Sequence, residues 1–246
     1  MRPQVRWVMG SVFYNAPDHE VLYDALNKWK PKTLNMFAGD DMILFGRSQS
    51  YFTDQQFMSA FMATQPDTVE KSLVWRKYTL YWAAKQALSL PGDFVEAGCH
   101  KGASPRVICN ALDFKTLDRT YWLYDAFDDA DPNSLTPEMS VGLEQQVRER
   151  FADTPNVKII AGRIPDSFAQ GMPDQVALLH IDMNNEVAET ATLERLYDRV
   201  SPGGIVLFDD YGWGAYWNQK VAHDSFAAAR GRMILELPTG QGLLIK

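Results

Sequence analysis

The thirteen residues from Gly92 to Ser104, GDFVEAGCHKGAS, limit what this chain can fold into more than any other stretch. Asp93 to Ala97 is a short apolar run with an acid, Glu96, near its end, the pattern of a buried parallel strand. A turn holding Gly98 and Gly102 follows, and a helical pattern then runs from Ala103 to about Leu112. Strand, glycine turn and helix in that order open a nucleotide-binding α/β domain. Bare backbone there lets a ligand come close, and the helix N-terminus faces it. The spacing is Glu96-x-Gly98-x-x-x-Gly102, whereas a dinucleotide fingerprint requires G-x-G-x-x-G for its pyrophosphate.

The rest of the chain fits one large α/β domain with an N-terminal extension. Its 246 residues are 46% hydrophobic, enough for a sizeable core. A net charge of −7 with no basic block argues against nucleic acid as the main partner. Cys99 and Cys109 follow no metal-site spacing and are expected to be reduced thiols of a cytoplasmic protein. The N-terminus lacks an apolar signal core, and charges interrupt every apolar run before membrane-spanning length, so no membrane partner is expected.

Residues 1–66 are read as a helical extension or cap and 67–246 as the main domain. In the extension, Pro17-Asp18 can start a helix that ends near Pro31. Met36 to Phe45 reads as loop or a short edge strand. Thr53-x-x-Gln56 has the capping-box form ahead of another helix. Aromatic and methionine residues are dense there, suiting either packing, a cap over the site or a dimer contact. A long helix is expected from about Asp67 to Leu88, with Leu73, Leu80, Ala84 and Leu88 on one face. Strands then alternate with helices. The strands are Tyr121 to Tyr124, Val157 to Ala161, Val176 to Ile181 and Ile205 to Phe208. After the second, Asp128 to Pro137 reads as a polar loop leading to an amphipathic helix that ends near Asp153. A helix from about Glu186 should stop at Ser201-Pro202-Gly203-Gly204, and another spans Ala215 to Ala229. Two terminal strands, Met233 to Leu237 and Leu243 to Lys246, are joined by so short a link that they must pair antiparallel. The expected fold is therefore a seven-stranded, mostly parallel sheet with an antiparallel terminal hairpin, and a plain doubly wound dehydrogenase domain would not end this way.

Ligands of open α/β sheets bind beyond the carboxyl ends of the strands, where this chain places Glu96, Asp125, Asp182, Asp209 and Asp210. Asp125, 29 residues beyond Glu96, suits the vicinal hydroxyls of a ribose or else caps a turn. Glu96 either contacts the ligand or bonds amides of the turn. Asp182, Asp209 and Asp210 should converge, because neighbouring strands lie about 4.8 Å apart. Three such carboxylates need a shared proton or a cation to relieve their repulsion. Oxygen ligands without His or Cys suit a hard ion, Mg²⁺, Ca²⁺ or Mn²⁺. The alternative is that Asp209 or Asp210 only caps the next helix.

Glu96-x-Gly98-x-x-x-Gly102 resembles motif I of the class I S-adenosylmethionine (SAM) methyltransferases. Leu179-His180-Ile181-Asp182 and Ser201 to Gly212 (SPGGIVLFDDYG) resemble the macrocin O-methyltransferase (TylF/MycF) family, and Gly92 to Gly98 and Leu237 to Gly242 are similar to it too. The likeness covers roughly residues 67 to 246. It implies a SAM- and Mg²⁺-dependent O-methyltransferase acting on sugar hydroxyls of natural products or on glycan precursors, with Asp182, Asp209 and Asp210 binding the metal. The residues expected at the cofactor are Glu96, Ala97, Gly98, His100, Lys101, Gly102, Ser104, Asp125, Arg163 and Asp182. A homodimer through the N-terminal region is expected from its aromatic content and from the family. One departure stands out: antibiotic-modifying members continue as D-x-D-L-Y-E, whereas this chain has Asp182-Met183-Asn184-Asn185-Glu186.

The expected reaction is in-line methyl transfer to a hydroxyl. Asp182 is the first candidate for general base and His223 the second, with packing as the alternative for His223. His180, inside a strand, reads as a core histidine. Tyr211, Trp213, Tyr216 and Trp217 can stack on a sugar or planar acceptor, or pack in the core. Three rival readings remain: a nicotinamide oxidoreductase, a non-catalytic SAM- or nucleotide-binding regulator, and a catechol-type O-methyltransferase.

Overall fold

A computed structural model describes residues 6–9, 19–29, 35–127 and 142–246. The ends of the helix expected between Pro17 and Pro31, and the loop Asp128 to Pro137, lie outside the described residues. The chain forms two units, Met1–Tyr78 and Thr79–Lys246. The division falls after Tyr78 and not after residue 66, the boundary expected from the sequence. Among the described residues no helix is long and apolar enough to cross a membrane.

The first unit is more than a helical extension. Strand β1 (Arg6–Met9), helix α1 (His19–Trp29) and strands β2 (Asn35–Gly39) and β3 (Met42–Phe45) come first. β2 pairs parallel with β1 and antiparallel with β3, so the stretch read as loop or edge strand is a hairpin. Its two-residue turn, Asp40-Asp41, has φ of 54° and 50°. That is the mirror-image turn matching strand twist, usually written Asn-Gly, which is why the sequence signal was weak.

Asp40 is held there by Arg76, with Nε to Oδ2 at 2.8 Å and Nη2 to Oδ1 at 3.1 Å, both side chains being buried. Arg76→Ala strands this carboxylate and should cost about 3–5 kcal/mol, read as a lower urea midpoint. A loss within the roughly 0–1 kcal/mol of a surface pair would show the pair to be solvated.

Helix α2 (Gln55–Ala63) is capped by Asp54, whose carboxylate accepts from the Phe57 N–H. Thr53 instead donates its hydroxyl to the Ser50 carbonyl, so the expected capping box does not form. A box does form at Asp67 and Glu70, opening α3 (Thr68–Ser72). The long helix expected from that point breaks at Leu73 and resumes as α4 (Val74–Ala87).

The second unit follows the expected alternation. Its elements are β4 (Asp93–Ala97), α5 (Ala103–Leu112), β5 (Tyr121–Asp125), α6 (Leu143–Arg150), β6 (Val157–Ala161), β7 (Val176–Ile181), α7 (Glu186–Leu196), β8 (Val200–Phe208), α8 (Trp217–Ala228), β9 (Leu235–Glu236) and β10 (Gly242–Ile245). The strands form one sheet in the order β6-β5-β4-β7-β8-β10-β9. The first five run parallel, and β10 is antiparallel to both β8 and β9. Every residue of β7 is buried, as a central parallel strand covered on both faces requires.

One boundary differs from expectation. β8 starts at Val200 and takes in Ser201-Pro202-Gly203-Gly204, a stretch whose proline and glycines suggest a break. The ladder advances two residues on β7, Val176 to Leu178, while β8 advances five, Val200 to Ile205. This bulge is possible because a Cβ on Gly204 would lie 2.6 Å from Val200 Cγ1.

The chain runs outward from β4 through β5 to β6, then returns to the other side of β4 at β7. Strand order therefore reverses between β4 and β7, and the crevice beyond their carboxyl ends is where such sheets bind ligands.

Candidate active site

The bend after β4 and the end of β7 are locked together. The Asp182 N–H donates to the Ala97 carbonyl at 2.8 Å, and the Gly98 N–H to the Tyr124 carbonyl at 2.8 Å. Gly98 has φ +90°, and a Cβ there would sit 1.8 Å from the Asp182 carbonyl oxygen. Gly102 serves another purpose: a Cβ on it would meet the Phe151 ring at 2.7 Å. The Gly102 N–H closes the bend on the Cys99 carbonyl at 2.7 Å, and no side chain caps α5. Its N-terminus therefore suits a ligand's polar groups. Cys99 is buried, and burial, then Asp125 and Glu96, pushes its thiol well up, so it offers no nucleophile.

Asp125 braces this bend. Its Oδ2 accepts from the His100 N–H at 2.7 Å and its Oδ1 from the Phe127 N–H at 2.8 Å. That is the turn-capping alternative, although each carboxylate oxygen can accept a second hydrogen bond. Lys101 and Ser104 are half-buried at the start of α5, and His100 and Arg163 are exposed.

Glu96 has partners within the sheet. It is buried and turned along the sheet, accepting from the Tyr121 hydroxyl at 2.9 Å with His180 Nδ1 3.3 Å away. It bonds neither amides of the turn nor anything beyond the strand end, because its pleat position faces His180 on β7.

At the ends of β7 and β8 two of the three expected acids come together, joined by a histidine. The Asp209 N–H donates to the Ile181 carbonyl at 2.9 Å, which sets the two strand ends side by side. His180, Asp182 and Asp209 each bring a ligating atom within 4.8 Å of the others, a grouping that fits one cation. Asp210 is not in that group, yet its charge acts on Asp182. The Asp182 carboxyl lies well above the usual range because of burial, then Asp209 and Asp210, with His180 opposing. For His180, burial lowers the pKa, but the carboxylates of Glu96 and Asp209 outweigh it and raise it to about 10.

His223 does not join these groups. It is buried on α8, with Nε2 3.0 Å from Glu189 Oε2 and its ring 4.4 Å from that of Phe208. The packing alternative is what the fold gives it. Glu189 also accepts from the Met183 N–H at 3.2 Å, a support invisible in sequence because a first-turn helical Glu ordinarily faces water. Of the aromatic group, Tyr211 is core, with its hydroxyl on Asp224, and Trp213 packs on Gly240. Trp217 is exposed and Tyr216 half-buried. Gln241, in the turn before β10, donates to Asp209 Oδ1 at 2.9 Å.

A parallel sheet closed by an antiparallel strand between β8 and β9, with a glycine bend at the switch point, defines the class I methyltransferase fold. The profile of the macrocin-O-methyltransferase (TylF) family matches residues 82–233, and the chain belongs to that family. It is 29% identical over 143 residues to demethyldecarbamoylnovobiocin O-methyltransferase of Streptomyces niveus, spanning 50% of this chain and 54% of that protein. It is 30% identical over 156 residues to 8-demethyl-8-(2,3-dimethoxy-alpha-L-rhamnosyl)-tetracenomycin-C 4'-O-methyltransferase of Streptomyces olivaceus, spanning 55% of this chain and 58% of that one. The chain thus spans little more than half the length of these curated relatives. Among solved structures, the O-methyltransferase NovP superposes with a TM-score of 0.62 at 21% identity, covering 80% of this chain and 98% of that one. The TDP-rhamnose 3'-O-methyltransferase CalS11 does so with 0.54 at 14% identity, covering 96% and 97%.

Proposed function

We propose that this chain is a SAM-dependent, Mg²⁺-dependent O-methyltransferase acting on a hydroxyl of a sugar, glycoside or glycan precursor. One observation carries the reading: the glycine bend and the acid cluster touch, Gly98 lying against the backbone of Asp182. A donor on the bend and an acceptor at the acids would then be neighbours. The sugar preference rests on relatives named for rhamnosyl and related positions, among them the tetracenomycin enzyme and mycinamicin III 3''-O-methyltransferase of Micromonospora griseorubida.

SAM supplies an electrophilic methyl on a sulfonium, and a bound divalent cation lowers the pKa of the acceptor hydroxyl. Gly98 lets the bend lie against Asp182, the uncapped start of α5 would face the donor, and the second lone pairs of Asp125 would be offered to its ribose. Asp182, Asp209 and Asp210 would hold the cation. With SAM bound, the acceptor oxygen would take the methyl, a C–O bond forming as the S–C bond breaks and its electron pair stays on sulfur. The acceptor's proton would pass to Asp182, whose backbone lies against the bend and which is the general base in this scheme. A catechol acceptor would use the same groups, since it also presents two adjacent oxygens.

Calorimetry with SAM and turnover on nucleotide sugars, glycosides and catechols, each with and without EDTA, tests the proposal. SAM binds in both conditions, and turnover stops with EDTA and returns with Mg²⁺. Turnover indifferent to EDTA removes the metal, and SAM binding without turnover on any acceptor favours a regulator.

A further inference from the structure

A line of buried polar side chains crosses five segments of the sheet beneath the site and ends on Asp209. Glu96 on β4 is in register with His180 on β7, and His180 with Leu207 on β8. Asp209 stands two residues beyond Leu207, so all three side chains fall on one sheet face. On the far side, the Tyr121 hydroxyl of β5 donates to Glu96 Oε2 at 2.9 Å. His180 then stands between carboxylates, Nδ1 3.3 Å from Glu96 Oε2 and Nε2 3.7 Å from Asp209 Oδ1. Gln241 Nε2 donates to the same Oδ1 at 2.9 Å, and its own Oε1 accepts from the Thr239 hydroxyl at 3.0 Å.

Glu96, His180 and Gln241 are 1%, 2% and 0% exposed. Burying such groups costs several kcal/mol per ion, and apolar residues of the same volume are often at least as stable. Neither ring nitrogen of His180 makes a well-aligned hydrogen bond, so the row is not there for its own hydrogen-bond energy. Oδ1 of Asp209 takes one hydrogen bond, from Gln241, and faces the His180 ring across 3.7 Å, so the carboxylate is flanked on both sides and its rotation is limited. Partners behind a ligating group commonly orient it in this way.

We propose that Glu96, His180 and Gln241 are positioning residues, a buried relay that sets the Asp209 carboxylate for the divalent cation. The relay rests on the metal reading given under Proposed function. It makes His180 neither a base nor a ligand: the imidazole reaches the cation only through Asp209. It also ties the strand before the glycine bend to the metal end of the site through Glu96.

The test uses the whole chain, stripped with EDTA and titrated with Mn²⁺ by electron paramagnetic resonance, with SAM affinity measured in parallel. His180→Gln, Glu96→Gln and Gln241→Ala each weaken Mn²⁺ binding about 10- to 100-fold and leave SAM affinity unchanged. The double variant of Glu96 and His180 is little weaker than the poorer single one, because both act along one line. If His180→Gln fails to fold, Glu96→Gln and Gln241→Ala still decide. Unchanged Mn²⁺ affinity in these variants, with Asp209→Asn losing it, overturns the relay and spares the metal reading. Mn²⁺ binding that survives Asp209→Asn overturns both. A directly bound nitrogen in the Mn²⁺ spectrum that disappears in His180→Gln makes His180 a ligand and overturns the relay alone.

Discussion

Asp182→Asn should slow methyl transfer by about 10²- to 10⁴-fold while making the metal-free protein more stable at neutral pH. The first effect follows from the proposed role, since the amide cannot take the hydroxyl proton and is a poorer cation ligand. The second follows from the fold. Burial, then Asp209 and Asp210, raises the Asp182 carboxyl above its ordinary value of 3.8, with His180 offsetting part of the shift. Between pH 3.8 and that raised value the folded chain binds more protons than the unfolded one, so stability falls as pH rises through this window. The contribution is fully present below pH 3.8 and is lost once the folded carboxyl ionises. Asparagine carries no such penalty. Urea unfolding in EDTA should therefore show the variant ahead at neutral pH, with the gap closing in acid. A variant less stable than the native chain at pH 7 would mean that the acids do not repel one another as the geometry implies.

Gly98→Ala should destabilise the chain by upward of about 3 kcal/mol and remove SAM binding. Two effects act at this position and a control separates them. A positive φ costs a non-glycine residue roughly 1–2 kcal/mol, and Gly231, at φ +65° with nothing within 4 Å of a built Cβ, would show that part alone. At Gly98 the new methyl would lie 1.8 Å from the Asp182 oxygen and 2.5 Å from its carbonyl carbon, both backbone atoms that no rotamer change can move. Relief requires β4 and β7 to part where the Asp182 N–H bonds the Ala97 carbonyl. Thermal unfolding and SAM calorimetry of Gly98→Ala beside Gly231→Ala measure the difference. Equal losses would mean that the crevice is looser than described.

Periodicity and punctuation carried much of the fold. Asp93–Ala97, Ala103–Leu112, Val157–Ala161 and Val176–Ile181 lie where the apolar runs and glycines place them. Asp93–Ala97 and Val176–Ile181 are short and largely buried, so their composition reflects one environment. Reading failed where local chemistry has two meanings. Ser201-Pro202-Gly203-Gly204 looks like a stop yet forms a bulge inside β8, since glycines suit both. Asp40-Asp41 makes a hairpin turn that depends on Arg76, thirty-six residues from Asp40.

By itself the sequence determined the order of strands and helices, the glycine bend, and the acids at the strand ends, because each depends on residues close together in the chain. Only the tertiary structure decided how those acids are used. It turned Glu96 inward to Tyr121 and His180, gave Asp125 to the amides of His100 and Phe127, and put His223 against Glu189 instead of the acid cluster. The reason is physical: a side chain's partner across a parallel sheet is set by strand order and register, and both come from the packing of the whole domain.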